Sequence, residues 1–168
     1  MSARLLLVLG LASVPATVVA QQSYTSRSPT AAVLPALIDP ALVAAQLALG
    51  EEATQAGRVA DARRIYRNLI QDQREAEQFA GEAMWRLALN YLYAEDRWHA
   101  ATTLDELTAA SNRYGDPAME LRASFEAAVL WQQLKRPELV RERFERAKAL
   151  LQSPAIPEAK KAEIRQRM

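Results

Sequence analysis

From residue 39 onward the apolar residues return every three or four positions between short polar breaks, and no segment alternates strictly between apolar and polar. Spacing of three and four marks amphipathic helices, whereas strict alternation would mark half-buried strands. The pattern predicts helices over 40–56, 58–72, 76–94, 97–112, 117–134 and 137–151, and a short one over 157–166. Asp39 can accept the free N–H groups of a first helical turn, and Pro40 stands where a missing N–H costs nothing. Gly57 ends that run. Gly115-Asp116-Pro117 supplies stop, cap and first-turn proline in one stretch, and Pro137 and Pro157 mark two further starts. Such short connections set consecutive helices side by side as antiparallel hairpins, so the expected class is all-α.

The hairpins repeat. Small residues stand at Gly50, Ala88 and Ala128, spaced by 38 and then 40 residues. Three positions on come Ala53, Tyr91 and Trp131, and twelve on come Ala62, Ala100 and Val140. Four residues later follow Tyr66, Leu104 and Phe144, and three beyond those Leu69, Leu107 and Ala147. A small residue on one helix lets its neighbour approach, and the larger side chain beside it fills the remaining groove. Three units built this way are expected to share one continuous core.

The segments Leu49-Gly50, Leu87-Ala88-Leu89-Asn90-Tyr91 and Ala127-Ala128-Val129-Leu130-Trp131, with Ala62 to Tyr66 and Val140 to Phe144, resemble the tetratricopeptide repeat. The likeness covers about residues 43–151, and it departs from the family in its longer period, in Ala53 where an aromatic is usual and in lacking the repeat-ending proline. The resemblance implies a right-handed α-solenoid of about three hairpins over 39–152, closed by a capping helix and tail over 153–168.

Ahead of the helices the pattern changes. Residues 1–20 read as a secretory signal peptide, with Arg4, an apolar run Leu5–Ala12, a break at Pro15 and small residues up to a cleavage point after Ala20. The other reading, a retained N-terminal anchor, meets the objection that a spanning helix needs about 20 apolar residues. Residues 21–38, rich in Ser, Thr and Gln with two prolines, read as a flexible lead-in ending in the apolar Val33–Ile38. A periplasmic or secreted protein with no integral membrane span after cleavage is expected.

Composition narrows the chemistry. The 21 Lys and Arg balance 20 Asp and Glu, so no field draws the chain to nucleic acid. Cysteine is absent and His99 is the only histidine, which removes thiol chemistry, zinc sites and catalytic triads. His99 itself reads as solvent-facing or half-packed. The neighbouring acids Glu51-Glu52 and Glu95-Asp96 point apart on a helix and cannot converge on one atom. No catalytic residue, metal or cofactor is expected, and a non-enzymatic binding role remains. The tail 157–168 is locally basic and reads as the polar cover of an open end, or as a membrane-surface helix.

In the family resembled, the first helix of each hairpin lines the concave face. Carried over by position, that face holds Leu47, Trp85 and Phe125, then Glu51, Leu89 and Val129, with Tyr93, Arg86 and Arg122 around them. An apolar helix or extended segment of a protein partner fits such a groove better than a charged terminus. Two alternatives stay open: Trp85 and Phe125 pack against the neighbouring hairpin instead, or the protein self-associates with its own or a twin's N-terminal segment in the groove. Of the remaining aromatics, Tyr91 is expected in the core, and Trp98 over the hairpin turn or the adjoining repeat.

Overall fold

The computed structural model describes residues 37–168. The expected signal peptide, 1–20, and all of the expected lead-in before Leu37 lie outside the described residues. The described chain is all-helical, with α1 (Pro40–Gln55), α2 (Val59–Glu75), α3 (Gly81–Tyr93), α4 (Arg97–Tyr114), α5 (Pro117–Gln133), α6 (Pro137–Leu151) and α7 (Glu158–Arg165). Each helix from α1 to α5 packs on the next in sequence, α1 also touches α3, and α5 touches α7.

The predicted end signals act as expected. Asp39 Oδ1 accepts from the Ala41 N–H at 2.8 Å ahead of Pro40, and Asp116 Oδ1 accepts from Met119 N–H at 2.9 Å ahead of Pro117. Asp96 caps α4 in the same way. One turn recurs three times. α1–α2, α3–α4 and α5–α6 are each joined by three residues whose middle member is left-handed: Gly57 (φ 73°), Glu95 (φ 60°) and Lys135 (φ 57°). The next N–H returns to a carbonyl five residues back, from Arg58 to Ala53 (2.8 Å), Asp96 to Tyr91 (2.9 Å) and Arg136 to Trp131 (3.0 Å). This closure satisfies carbonyls that a helix end would otherwise leave free. Glu95 and Lys135 adopt a backbone that glycine would enter without strain.

α3 starts at Gly81, five residues later than the apolar spacing predicts. Glu77 is left-handed (φ 55°), and the Gln78 N–H closes onto Gln73 C=O at 2.7 Å, so α2 runs on to Glu75 and a bend follows. Gly81 closes that bend, because a Cβ there would lie 2.5 Å from the Phe79 ring. It delivers the half-buried Phe79 onto the exposed Tyr114, ring centroids 5.3 Å apart, where stacking of the rings helps to offset the broken helix.

Of the residues that mark the repeat, only Val140 and Phe144 are half-buried; the others are buried. Gly50 shows why a small residue is needed, because a Cβ there would lie 2.4 Å from the Tyr66 ring. The buried residues form two clusters rather than one. The larger runs from Ala53 and Tyr66 to Trp131, and the smaller gathers Leu121 and Phe125 of α5 with Leu150 and Leu151 of α6, Ile156, and Ile164 of α7. α5 is the cause: it buries one side against the earlier helices and another beneath the C-terminal segment.

Candidate functional site

The nine residues carried over to the first-helix face divide by what their neighbours do to them. Leu47 is half-buried against the larger cluster, and Val129 against the smaller. Glu51 on α1 accepts from Arg86 Nη1 of α3 at 3.2 Å, while Arg86 Nε donates to Glu82 at 2.7 Å. The Glu82 hydrogen bond, helped by both carboxylates, holds the Arg86 guanidinium more firmly charged than usual.

Trp85 and Phe125 are not open to a partner. Trp85 is 7% exposed beneath the guanidinium of Arg122, whose central carbon sits 3.7 Å above the ring. Phe125 is 1% exposed, angled against Phe144 at 6.0 Å and covered by Arg167, which also binds Glu126. In each case the roof is an arginine from a later element, and stacking on an aromatic face suits a weakly hydrated guanidinium. What stays open on α3 is Leu89, 41% exposed, and Tyr93, 61% exposed. They lie one turn apart on the same stripe as Trp85, beside Arg86 and Arg122.

The other aromatics hold the helices together. Tyr91 is buried, and Trp98 lies edge-on to Trp131 with centroids 5.0 Å apart, so it covers the adjoining helix pair. His99 is exposed, with Nδ1 2.8 Å from Asp96 Oδ2 and its ring stacked on Tyr91. That hydrogen bond holds the Asp96 carboxyl below its usual range. Glu51 and Glu52 turn to different partners, Arg86 and Arg58.

Sequence reasoning passed over the polar ties between helix pairs. Arg67 on α2 donates to the Tyr91 hydroxyl, and Trp131 Nε1 donates to Asp105 Oδ2 of α4 at 2.9 Å. Arg67 and Asp105 each lie seventeen positions after their unit's small residue, and Tyr91 and Trp131 each lie three after theirs. That shared offset was the available signal. Asp105 is also gripped by Arg143 of α6 through two 2.9 Å bonds. Glu120, a buried carboxylate on α5, accepts from Arg146 Nε at 2.6 Å and from Asn112 Nδ2 at 3.3 Å.

These ties line two open clefts, one of about 370 Å³ among α2, α3 and α4 and one of about 670 Å³ among α4, α5 and α6. Among the described residues no three His, Cys, Asp or Glu side chains come together as a metal site would require, and no helix is long and apolar enough to cross a membrane. The chain matches no protein-family model, no curated protein and no solved structure.

Proposed function

We propose that the chain is an exported, non-enzymatic scaffold of tetratricopeptide type, three hairpins in a right-handed solenoid, that holds an apolar segment of a protein partner in the cell envelope. The repeated three-residue turn and the burial of the repeat's marker residues support the solenoid reading. The observation that carries the binding reading is the exposed pair Leu89 and Tyr93 on α3. Their apolar surface lies among the charges of Glu51, Arg86 and Arg122, an arrangement of apolar centre and polar rim that suits a helix or an extended strand of another protein.

Capture by crosslinking in the native compartment tests this, comparing wild type with Leu89→Asp and Tyr93→Ala. Trp85 and Phe125 are unsuited as probes, because they are buried and truncating them would disturb folding along with binding. The expected result is loss of one defined set of proteins from both variants at unchanged stability. Equal capture by wild type and both variants would refute the assignment of the face, and a product found only in the cytoplasm would refute the export reading.

A further inference from the structure

The cleft among α2, α3 and α4 does not end at Glu106. A second hollow of about 430 Å³ adjoins it, sharing Arg74, Met84 and Glu106 and running on to Arg113 and the stacked rings of Phe79 and Tyr114. Together they form one groove between α2 and α4. Its α4 wall from Thr103 to Arg113 is ~15 Å long at the helical rise, a length that roughly five extended residues span. The floor, Ile70, Met84 and Leu87, is buried. Leu87 lies ~200° around α3 from Leu89, so the groove is on the other side of that helix from the Leu89 and Tyr93 face.

The charge of this groove is lopsided. Arg67, Arg74 and Arg113 line it, and Glu106 is the single carboxylate among its lining residues. Glu106 pairs with Arg74 at 3.4 Å, and both partners are more than half exposed, so that pair is weak and open to exchange. Arg67 and Arg113 form no ion pair with any carboxylate among the described residues. Arg67 donates to the neutral Tyr91 hydroxyl, and Arg63, one turn before it, to the neutral Asn90 side chain at 3.3 Å. Both guanidinium groups lie by the Tyr91 ring, their central carbons 4.3 and 5.9 Å from its centroid. Like charges one turn apart on a helix repel, and uncharged acceptors do not neutralise them. The cleft among α4, α5 and α6 is the opposite case, with Arg143 held by Asp105 and Arg146 by Glu120.

We propose that the groove between α2 and α4 binds an acidic, extended segment of another protein, one carboxylate at Arg67 beside Arg63 and a second at Arg113. In an extended chain the first and fifth side chains share a side and stand ~13 Å apart, within reach of both arginines. The residues between them pass Glu106, which disfavours a third acid there. An arriving carboxylate relieves the repulsion between Arg63 and Arg67, a gain that the self-paired cleft beyond α4 does not offer. The Leu89 and Tyr93 face plays no part in this, so the two readings fail independently.

The test is fluorescence anisotropy on the full protein at low salt. The probe is a fluorescein-labelled seven-residue peptide, capped at both ends, with glutamate second and sixth and leucine fourth. Binding should weaken by about tenfold or more when both glutamates become glutamine, and should fall further as salt is raised. Arg67→Gln and Arg113→Gln should each weaken it by about fivefold or more, whereas Lys148→Gln, which removes the same charge from α6, should not. Arg113 donates to no described side chain, so its substitution reads binding even where loss of the Arg67 tie lowers stability. Arg67→Glu combined with Arg113→Glu should reject the glutamate peptide and accept its lysine counterpart. Equal binding of the glutamate and glutamine peptides, an equal loss in Lys148→Gln, or no binding at ~1 mM protein would overturn the proposal. So would full displacement of the peptide by inorganic phosphate at constant ionic strength, which would mark a site for a free oxyanion.

Discussion

The junction among α2, α3 and α4 and the junction among α4, α5 and α6 correspond position for position, yet their charges are reversed. Arg67 corresponds to Asp105 and Arg74 to Asn112 at the spacing of 38, and Thr103 corresponds to Arg143 and Glu106 to Arg146 at the spacing of 40. In the first junction the donor Arg67 binds the Tyr91 hydroxyl; in the second the acceptor Asp105 takes the Trp131 N–H. Where Arg74 pairs directly with Glu106 at 3.4 Å, the counterparts Asn112 and Arg146 are both donors, and Glu120 stands between them as the shared acceptor. A buried carboxylate that looks anomalous alone is thus the counterpart of a direct ion pair one unit earlier. The lesson is that place is preserved while polarity is free, provided each arginine at the junctions still finds an acceptor.

The largest effect expected from this contrast is at Asp105. Asp105→Ala leaves the Trp131 N–H without its acceptor, strips the mostly covered Arg143 of two of its three hydrogen bonds and should cost about 3 kcal/mol, whereas Arg67→Ala removes an exposed donor and should cost about 1 kcal/mol. Urea unfolding of both variants checks the ratio, and equal losses would break the comparison. Next is Gly50→Ala, which drives a methyl group into the Tyr66 ring and should cost about 2 kcal/mol. Adding Tyr66→Leu, which reproduces the pairing of Ala88 with Leu104, should recover much of that loss.

Glu120→Ala should cost about 1–2 kcal/mol, since the exposed side of Arg146 can turn to water. Combining it with Asn112→Arg and Arg146→Glu transplants the direct pair of the first junction and should restore stability; failure to do so would show that the junctions differ by more than polarity. The smallest effect is a dependence on pH. Burial, only partly offset by the nearby Thr54 hydroxyl and Arg86 charge, raises the Tyr66 phenol above the usual tyrosine range. Its contribution is therefore complete below the ordinary tyrosine value and fades as pH rises through the raised one, because the unfolded chain ionises first. Tyr66→Phe should flatten that alkaline decline, followed by the unfolding midpoint.

Much of the fold was legible because local signals and apolar spacing agreed. Asp39-Pro40 and Gly115-Asp116-Pro117 fix helix ends through backbone chemistry alone, and neither needs a distant partner. The turns at Glu95 and Lys135 carry no glycine to announce a left-handed residue, and the bend before Gly81 is sustained by Phe79 meeting Tyr114, 35 residues away. The candidate face was legible only in its positions. Leu89 and Tyr93 stay open, but whether Trp85 and Phe125 do depends on Arg122 and Arg167, which no spacing within their own helices reveals.

The three tryptophans carry a consequence for spectroscopy. Trp85, Trp98 and Trp131 sit on α3, α4 and α5, and α1 and α2 have none. Emission from Trp131 reads the Asp105 tie directly, whereas opening of the first helix pair alters circular dichroism and leaves most of the fluorescence unchanged. If unfolding begins at α1, the dichroism transition will precede the optical one; if the helices melt as a unit, the two curves will coincide.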